Sequence, residues 1–155
     1  MTKIVVISDS HGNIAALSKI YGVLDECDTI IHLGDTSGDG SRIRADFPNK
    51  TILINGNCDP MKLGDDERVI QVENVRIFAT HGHLYSVKTT LTRLAARAKE
   101  LGCTVALYGH THRGREDEID GVTLINPGNF SRYSQNGYCY ITVNGGKAVC
   151  KLVEI

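Results

Sequence analysis

Five short polar pieces, each closing a hydrophobic run, constrain this chain most: Asp9-Ser10-His11, Gly34-Asp35, Gly56-Asn57-Cys58-Asp59, Thr80-His81-Gly82-His83 and Gly109-His110-Thr111-His112. Strands that end in oxygen and nitrogen ligands are how an open α/β sheet assembles a metal site. Polar turn-forming residues also end strands for ordinary reasons, and a lone Gly-Asp is usually a turn. Those reasons do not select histidine and aspartate at five successive ends, so the set as a whole points to two metal ions.

The runs that carry these pieces define the fold class. Residues 4–8 are continuously apolar before Ser8, as expected of a parallel strand covered on both faces. From Asn13 the spacing of Ile14, Leu17, Ile20, Tyr21 and Leu24 predicts a helix, and residues 29–33 a second buried strand, which completes a right-handed βαβ unit. Residues 36–46 are polar and glycine-rich, with a helical turn expected over 42–46. Residues 51–54 form a third strand, and 69–72 and 75–79 pair across a Glu73-Asn74 turn. Leu91, Leu94, Ala95, Ala98 and Leu101 recur at helical spacing before a Gly102 cap. Residues 104–108 make another buried strand, and 115–119, 122–125, 138–143 and 148–153 read as antiparallel strands. The expected class is α/β: two mixed sheets face to face with helices outside, in a single domain over residues 1–155.

Charge narrows the partners. Seventeen basic against 18 acidic residues, with no basic run, disfavour duplex nucleic acid as a ligand. No segment approaches the roughly 20 apolar residues that span a bilayer, and the first apolar run is too short for a signal peptide, so the cytoplasm is the expected compartment and no membrane partner is expected. Five cysteines without CxxC spacing predict reduced thiols, with Cys27, Cys103, Cys139 and Cys150 as buried apolar fillers and Cys58 set apart by its neighbours.

In Asp9-Ser10-His11 and His110-Thr111-His112 the i, i+2 spacing turns both side chains to one side wherever the backbone is extended. Asp35 offers a carboxylate able to bridge two cations, Asn57 a carbonyl oxygen and His81 an imidazole. With no clear thiolate ligand, the set favours Mn²⁺, Fe²⁺, Ni²⁺ or Zn²⁺ over a structural tetrahedral zinc.

The order DxH, GD, GN, GH and GHxH from Asp9 to His112 resembles the calcineurin-like metallophosphoesterases. The tail with Asn126-Pro127-Gly128 resembles their smaller bacterial and archaeal phosphodiesterases, relatives of the retromer subunit Vps29. The resemblance implies a four-layer α/β/β/α sandwich. It assigns one metal to Asp9, His11, Asp35 and His112, and the other to Asp35, Asn57, His81 and His110, with Asp35 bridging and manganese the foremost of the candidate ions. It chooses His81 over His83, a choice that spacing does not make. The implied activity is hydrolysis of small or nucleotide-like phosphodiesters by in-line attack of a metal-bridging hydroxide. The alternatives are a Vps29-like interaction scaffold with little catalysis, or a phosphomonoesterase. Homo-oligomerisation is left open.

Many members carry Gly-Asn-His-Asp/Glu where this chain has Gly56-Asn57-Cys58-Asp59. A thiol with a reference pKa of about 8.5 is a poorer proton donor than the histidine, so acidic leaving groups are the expected preference. The catalytic candidates are therefore Asn57, Cys58, Asp59 and His83: Asp59 to orient an imidazole, His83 as a substitute donor. His32 is either a neighbour of the site or a satisfied histidine of a buried strand. For substrate, the candidates are Asn13, with the amides that open the first helix, and Asn129 and Arg132 in the loop Gly128-Asn129-Phe130-Ser131-Arg132-Tyr133.

Overall fold

The first apolar run becomes β1 (Thr2–Ile7), and alternation sends its side chains to two different cores. In the computed structural model, which describes residues 1–155, Ile4 and Val6 face a second sheet while Val5 and Ile7 face helices. Both faces are fully buried, which explains why the run is continuously apolar. β2 (Thr29–His32) pairs with β1 in parallel, and β3 (Thr51–Leu53) pairs with β2 in parallel. On the other side of β1 lies the antiparallel hairpin of β9 (Gly137–Asn144) and β10 (Lys147–Glu154), so the sheet runs β10-β9-β1-β2-β3.

The second sheet contains β4 (Glu67–Val72), β5 (Val75–Thr80), β6 (Val105–Leu107), β7 (Arg115–Ile119) and β8 (Val122–Asn126), in the order β4-β5-β6-β8-β7. Ile4, Val6, Ile31, Leu33, Ile77, Ala79, Leu107 and Ile141 fill the space between the sheets. Outside the first sheet lie α1 (Ile14–Ser18), α2 (Tyr21–Glu26) and α3 (Asp39–Asp46), whose Leu17, Leu24 and Ile43 bury Val5, Ile7 and Ile30. α4 (Thr92–Glu100) covers the second sheet by laying Leu94, Ala95 and Ala98 on Phe78, Ala106 and Leu124. The result is the four-layer α/β/β/α arrangement.

Several expectations change in detail. The helix expected from Asn13 is two short helices, because Ile20 leaves helical backbone (φ −109°, ψ 8°) and lets the chain turn while its side chain stays buried. The turn expected over 42–46 extends back to Asp39. β8 is antiparallel to β7 but parallel to β6, so the later strands are not all antiparallel. Cys139 and Cys150 form a disulfide instead of standing as reduced fillers: they are diagonal neighbours on the β9–β10 ladder, with Cα atoms 6.5 Å apart. Cys27 and Cys103 are free and buried, and Cys58 is free and exposed.

Candidate metal centre

The loops leaving β1, β2, β5 and β6 open on one rim and are laced together by their own amides. Asp9 N–H donates to the Gly34 carbonyl and His11 N–H to the Asp35 carbonyl, both at 2.9 Å, while Gly109 N–H donates to the His81 carbonyl at 2.8 Å. Asp9, His11, Asp35, His110 and His112 all have left-handed φ, between 47° and 70°. The backbone at Asp9-His11 and His110-His112 is therefore not extended, and the condition for the i, i+2 argument is not met there. Each piece is a tight turn, and the turn aims the side chains inward. Aspartate and histidine are enriched among residues tolerated at positive φ, and such strained backbone gathers at functional sites.

The side chains converge on one space. Asp9 Oδ1 lies 3.2 Å from His112 Nε2 and 3.9 Å from both His11 Nε2 and His81 Nε2. Asp35 Oδ2 lies 3.3 Å from His81 Nε2 and 4.0 Å from His11 Nε2. Two groups can each hold a cation, Asp9-His11-His112 and Asp35-His81-His110, with ligand atoms in each group within 4.8 Å of one another.

The opposite atoms of these side chains are already engaged. Asp9 Oδ2 accepts from Ser8 Oγ at 2.5 Å and from His110 N–H at 2.9 Å. Asp35 Oδ1 accepts from Cys58 N–H at 2.8 Å, and His81 Nδ1–H donates to the Leu33 carbonyl at 2.8 Å, leaving its Nε2 as a lone pair. Asp9 Oδ1 and His81 Nε2 are buried without any hydrogen-bond partner. Leaving such groups unmatched costs about 1–3 kcal/mol each, and a cation between them removes that cost. The donor set fits a divalent transition ion.

Charge is distributed to match. Burial pushes the Asp9 and Asp35 carboxyls up, but His112 and His81 against Asp9 and His81 against Asp35 outweigh it, so both lie below the ordinary range. Burial pushes His81 down, yet contact with Asp35 and the charge of Asp9 leave it raised. The Asp9 contact raises His112, whereas burial and the charge of His81 lower His110.

The remaining candidates divide. Asn57 is exposed, its Nδ2 3.5 Å from Cys58 Sγ. Partial burial and the carboxylates of Asp35 and Asp59 push the Cys58 thiol up. The His83 ring centroid is 5.4 Å from that of His81 and 6.1 Å from that of His110, and its buried Nδ1 lacks a partner.

Asp59 does not orient an imidazole. Its carboxylate accepts from the amides of Asp35 (2.9 Å), Thr36 (2.7 Å) and Gly56 (2.8 Å), and the Leu33 carbonyl orients His81 instead. His32 is a satisfied buried histidine: its Nδ1 accepts from Gly34 N–H at 3.1 Å and its Nε2–H donates to Ser10 Oγ at 2.7 Å.

Two substrate candidates are likewise structural. Asn13 caps α1 at Ala16 N–H and donates to the Phe130 carbonyl at 2.8 Å, and the Gly12 amide is taken by the Thr36 carbonyl and Asp39 Oδ2. Buried Asn129 donates to the His112 carbonyl at 2.9 Å and accepts from Ser131 and Ser134. Arg132 is placed differently: with Ser131, Tyr133 and Ser134 it lines a cavity of about 340 Å³ that also touches His11 and His112.

Sequence reasoning missed Ser8, Asp39 and Asn126. Asn126 is fully buried and donates to the Gly109 carbonyl (3.1 Å) and Thr111 Oγ1 (2.9 Å), holding the turn that carries His110 and His112 closed. Its position before Pro127-Gly128 was visible, but nothing local shows that its amide reaches back 17 residues.

Residues 2–146 match the calcineurin-like phosphoesterase superfamily domain. A Bacillus subtilis protein named probable metallophosphoesterase YsnB is 34% identical over 130 residues, covering 81% of this chain and 73% of its own length. Phosphodiesterase MJ0936 of Methanocaldococcus jannaschii is 28% identical, covering 84% of this chain and 86% of its own. A crystal structure of Entamoeba histolytica Vps29 complexed with zinc superposes with a TM-score of 0.77 at 20% identity, covering 98% of each chain. The chain belongs to the calcineurin-like phosphoesterase superfamily.

Proposed function

We propose that this protein hydrolyses phosphodiesters of small or nucleotide-like molecules at two divalent cations. Asp9, His11, Asp35 and His112 would hold one, and Asp35, Asn57, His81 and His110 the other, with manganese the expected ion and nickel, iron or zinc the alternatives. The observation that carries this reading is the pair of buried, unpartnered atoms Asp9 Oδ1 and His81 Nε2, aimed at the same space from two different sheets. The phosphodiesterase name of the M. jannaschii relative supports the substrate class.

Bound there, two divalent cations supply Lewis acidity that fixes phosphoryl oxygens and makes water more acidic. The protein's own contribution is positional. Asp59 keeps the Asp35 turn closed, the Leu33 carbonyl keeps His81 in the tautomer with Nε2 free, and Asn126 keeps His110 and His112 facing inward. Arg132 offers a guanidinium to the phosphate, and Tyr133, almost wholly exposed, offers a ring to an aryl group or base. Cys58 Sγ is next to Asp35 and holds its proton, so it assists leaving-group departure weakly. No helix is long and apolar enough to cross a membrane.

The test is Mn²⁺-dependent hydrolysis of bis(p-nitrophenyl) phosphate, faster than p-nitrophenyl phosphate and abolished by Asp35→Asn. A second reading, an interaction scaffold, is favoured by the full-length likeness to Vps29. A folded, metal-loaded protein with no turnover would establish it over hydrolysis.

A further inference from the structure

A second cavity, about 300 Å³, touches the His110-Thr111-His112 loop at Thr111 and shares no lining residue with the cavity at Arg132. Its lining is Val87, Lys88, Leu91, Tyr108, Thr111, Arg113 and Arg115, with Thr111 sitting between the two candidate ligand histidines. The cavity therefore borders the loop that carries His110 and His112.

The charges around it are mostly uncompensated. Arg115 is held by Asp117 through Nε and Nη2 contacts of 2.6 and 2.8 Å. Lys88 and Arg113 have no ion pair and no side-chain hydrogen bond. At the floor lies Tyr108, 1% exposed, whose hydroxyl is buried with no hydrogen-bond partner. The Tyr108 ring sits in the apolar core beneath α4, so burial alone explains the ring but not the unmatched hydroxyl. Val87 and Leu91 supply apolar walls. Two free cations, a buried donor and a concave shape are what a dianionic group needs.

We propose that this cavity binds a second phosphate group carried on one arm of the phosphodiester substrate, with Lys88 and Arg113 neutralising it and the Tyr108 hydroxyl donating to it. The proposal rests on the phosphodiesterase reading and deepens it: the preferred substrate is a nucleotide-like diester bearing a terminal phosphomonoester. The scissile group lies between two recognition arms, one at Arg132 and Tyr133 and the other at Lys88 and Arg113. Tyr108 keeps its proton through the working pH range because burial pushes its phenol up to about 12, so it acts only as a donor.

Two chromogenic diesters with the same leaving group test it: the p-nitrophenyl ester of thymidine 5′-phosphate and its 3′-phosphorylated counterpart. With Mn²⁺ present, the ratio of kcat/KM for the phosphorylated over the plain ester should be about tenfold or more. It should collapse to about one in Lys88→Ala/Arg113→Ala and fall partway in Tyr108→Phe. Because each variant is compared with itself, a general loss of activity does not move the ratio. A wild-type ratio near one, or a ratio that survives in the double variant, overturns the proposal. Free inorganic phosphate should not raise the rate on the plain ester; a rise matching the attached phosphate would make the cavity an effector site instead and overturn the substrate assignment.

Calorimetric binding of thymidine 3′,5′-bisphosphate against thymidine 5′-phosphate separates this from the reading beneath it. Tighter binding of the bisphosphate, lost in the double variant, in a protein that turns over neither ester keeps the cavity and defeats the hydrolase. Turnover of both esters with equal affinities keeps the hydrolase and defeats the cavity.

Discussion

Asp59 holds the main chain of Asp35: its Oδ2 accepts the Asp35 N–H at 2.9 Å while its Oδ1 accepts the Thr36 N–H at 2.7 Å. The same carboxylate takes Gly56 N–H at 2.8 Å, so it ties the loops that follow β2 and β3 into one unit. Asp59→Ala leaves three amides without their acceptor. Loss of such supporting contacts typically costs metal affinity about 10–100-fold. The same fall is expected here, measured by Mn²⁺ titration, together with about 1–3 kcal/mol of stability in urea. Wild-type metal affinity in this variant would show that Asp35 is positioned without Asp59.

The glycines of the motifs are required by close approach. A Cβ on Gly109 would strike Ser8 Oγ and come within 2.6 Å of Asp9 Oδ2, the oxygen that accepts His110 N–H. Gly109→Ala should therefore displace Asp9, abolish metal-dependent turnover and destabilise by about 1–3 kcal/mol. Gly121→Ala is the control: its φ is +80°, but open space surrounds it, so it should cost backbone strain while leaving metal binding intact. If the two variants lose metal equally, crowding at Asp9 is not the cause.

These contacts also mark how far the sequence could be read. The apolar runs located the strands because their periodicity reflects burial on one or both faces, and the five pieces located the rim because histidine and aspartate are unusual strand terminators. The backbone at the rim was not legible: extended geometry was the default for i, i+2 pairs, yet Asp9, His11, His110 and His112 are in left-handed turns. Nor were the long-range amides. Asn13 and Asn129 have the chemistry of substrate contacts, but the fold uses that chemistry on Phe130 and His112 carbonyls 117 and 17 residues away. The Cys139–Cys150 pair depends on the β9–β10 register, which cysteine spacing alone does not supply.

Two phenols should titrate last. Burial, and for Tyr85 also its 2.5 Å hydrogen bond to Glu67, raises Tyr85 and Tyr108 to about 12. Absorbance at 295 nm should show two late groups near that pH, one of them missing in Tyr108→Phe. The sign for stability follows from the raised native value. Below about pH 10 both states keep the Tyr108 proton and its contribution is fully present. Between about 10 and 12 the unfolded chain ionises first, and stability falls. Tyr108→Phe should remove that fall and, because the hydroxyl has no partner, should not lower stability at pH 7. A clear loss of stability at neutral pH would reveal a partner for the hydroxyl.

Cys58 gives the chemistry its expected selectivity. Its amide holds Asp35 Oδ1 at 2.8 Å, so the side chain is fixed beside the Asp35 carboxylate and is exposed. A thiol placed there gives up its proton poorly to a departing alkoxide, and phosphodiesters with acidic leaving groups need that proton least. Across a series of aryl methyl phosphates, kcat/KM should fall steeply as the leaving-group pKa rises. Cys58→His should flatten the slope and raise the rate most on the least acidic leaving groups, by about 10-fold or more. Cys58→Ala should keep the wild-type slope, because the thiol contributes little to begin with. An unchanged slope in Cys58→His would mean that the proton reaches the leaving oxygen from elsewhere on the rim, with His83, 5.4 Å from His81 between ring centroids, the next residue to replace.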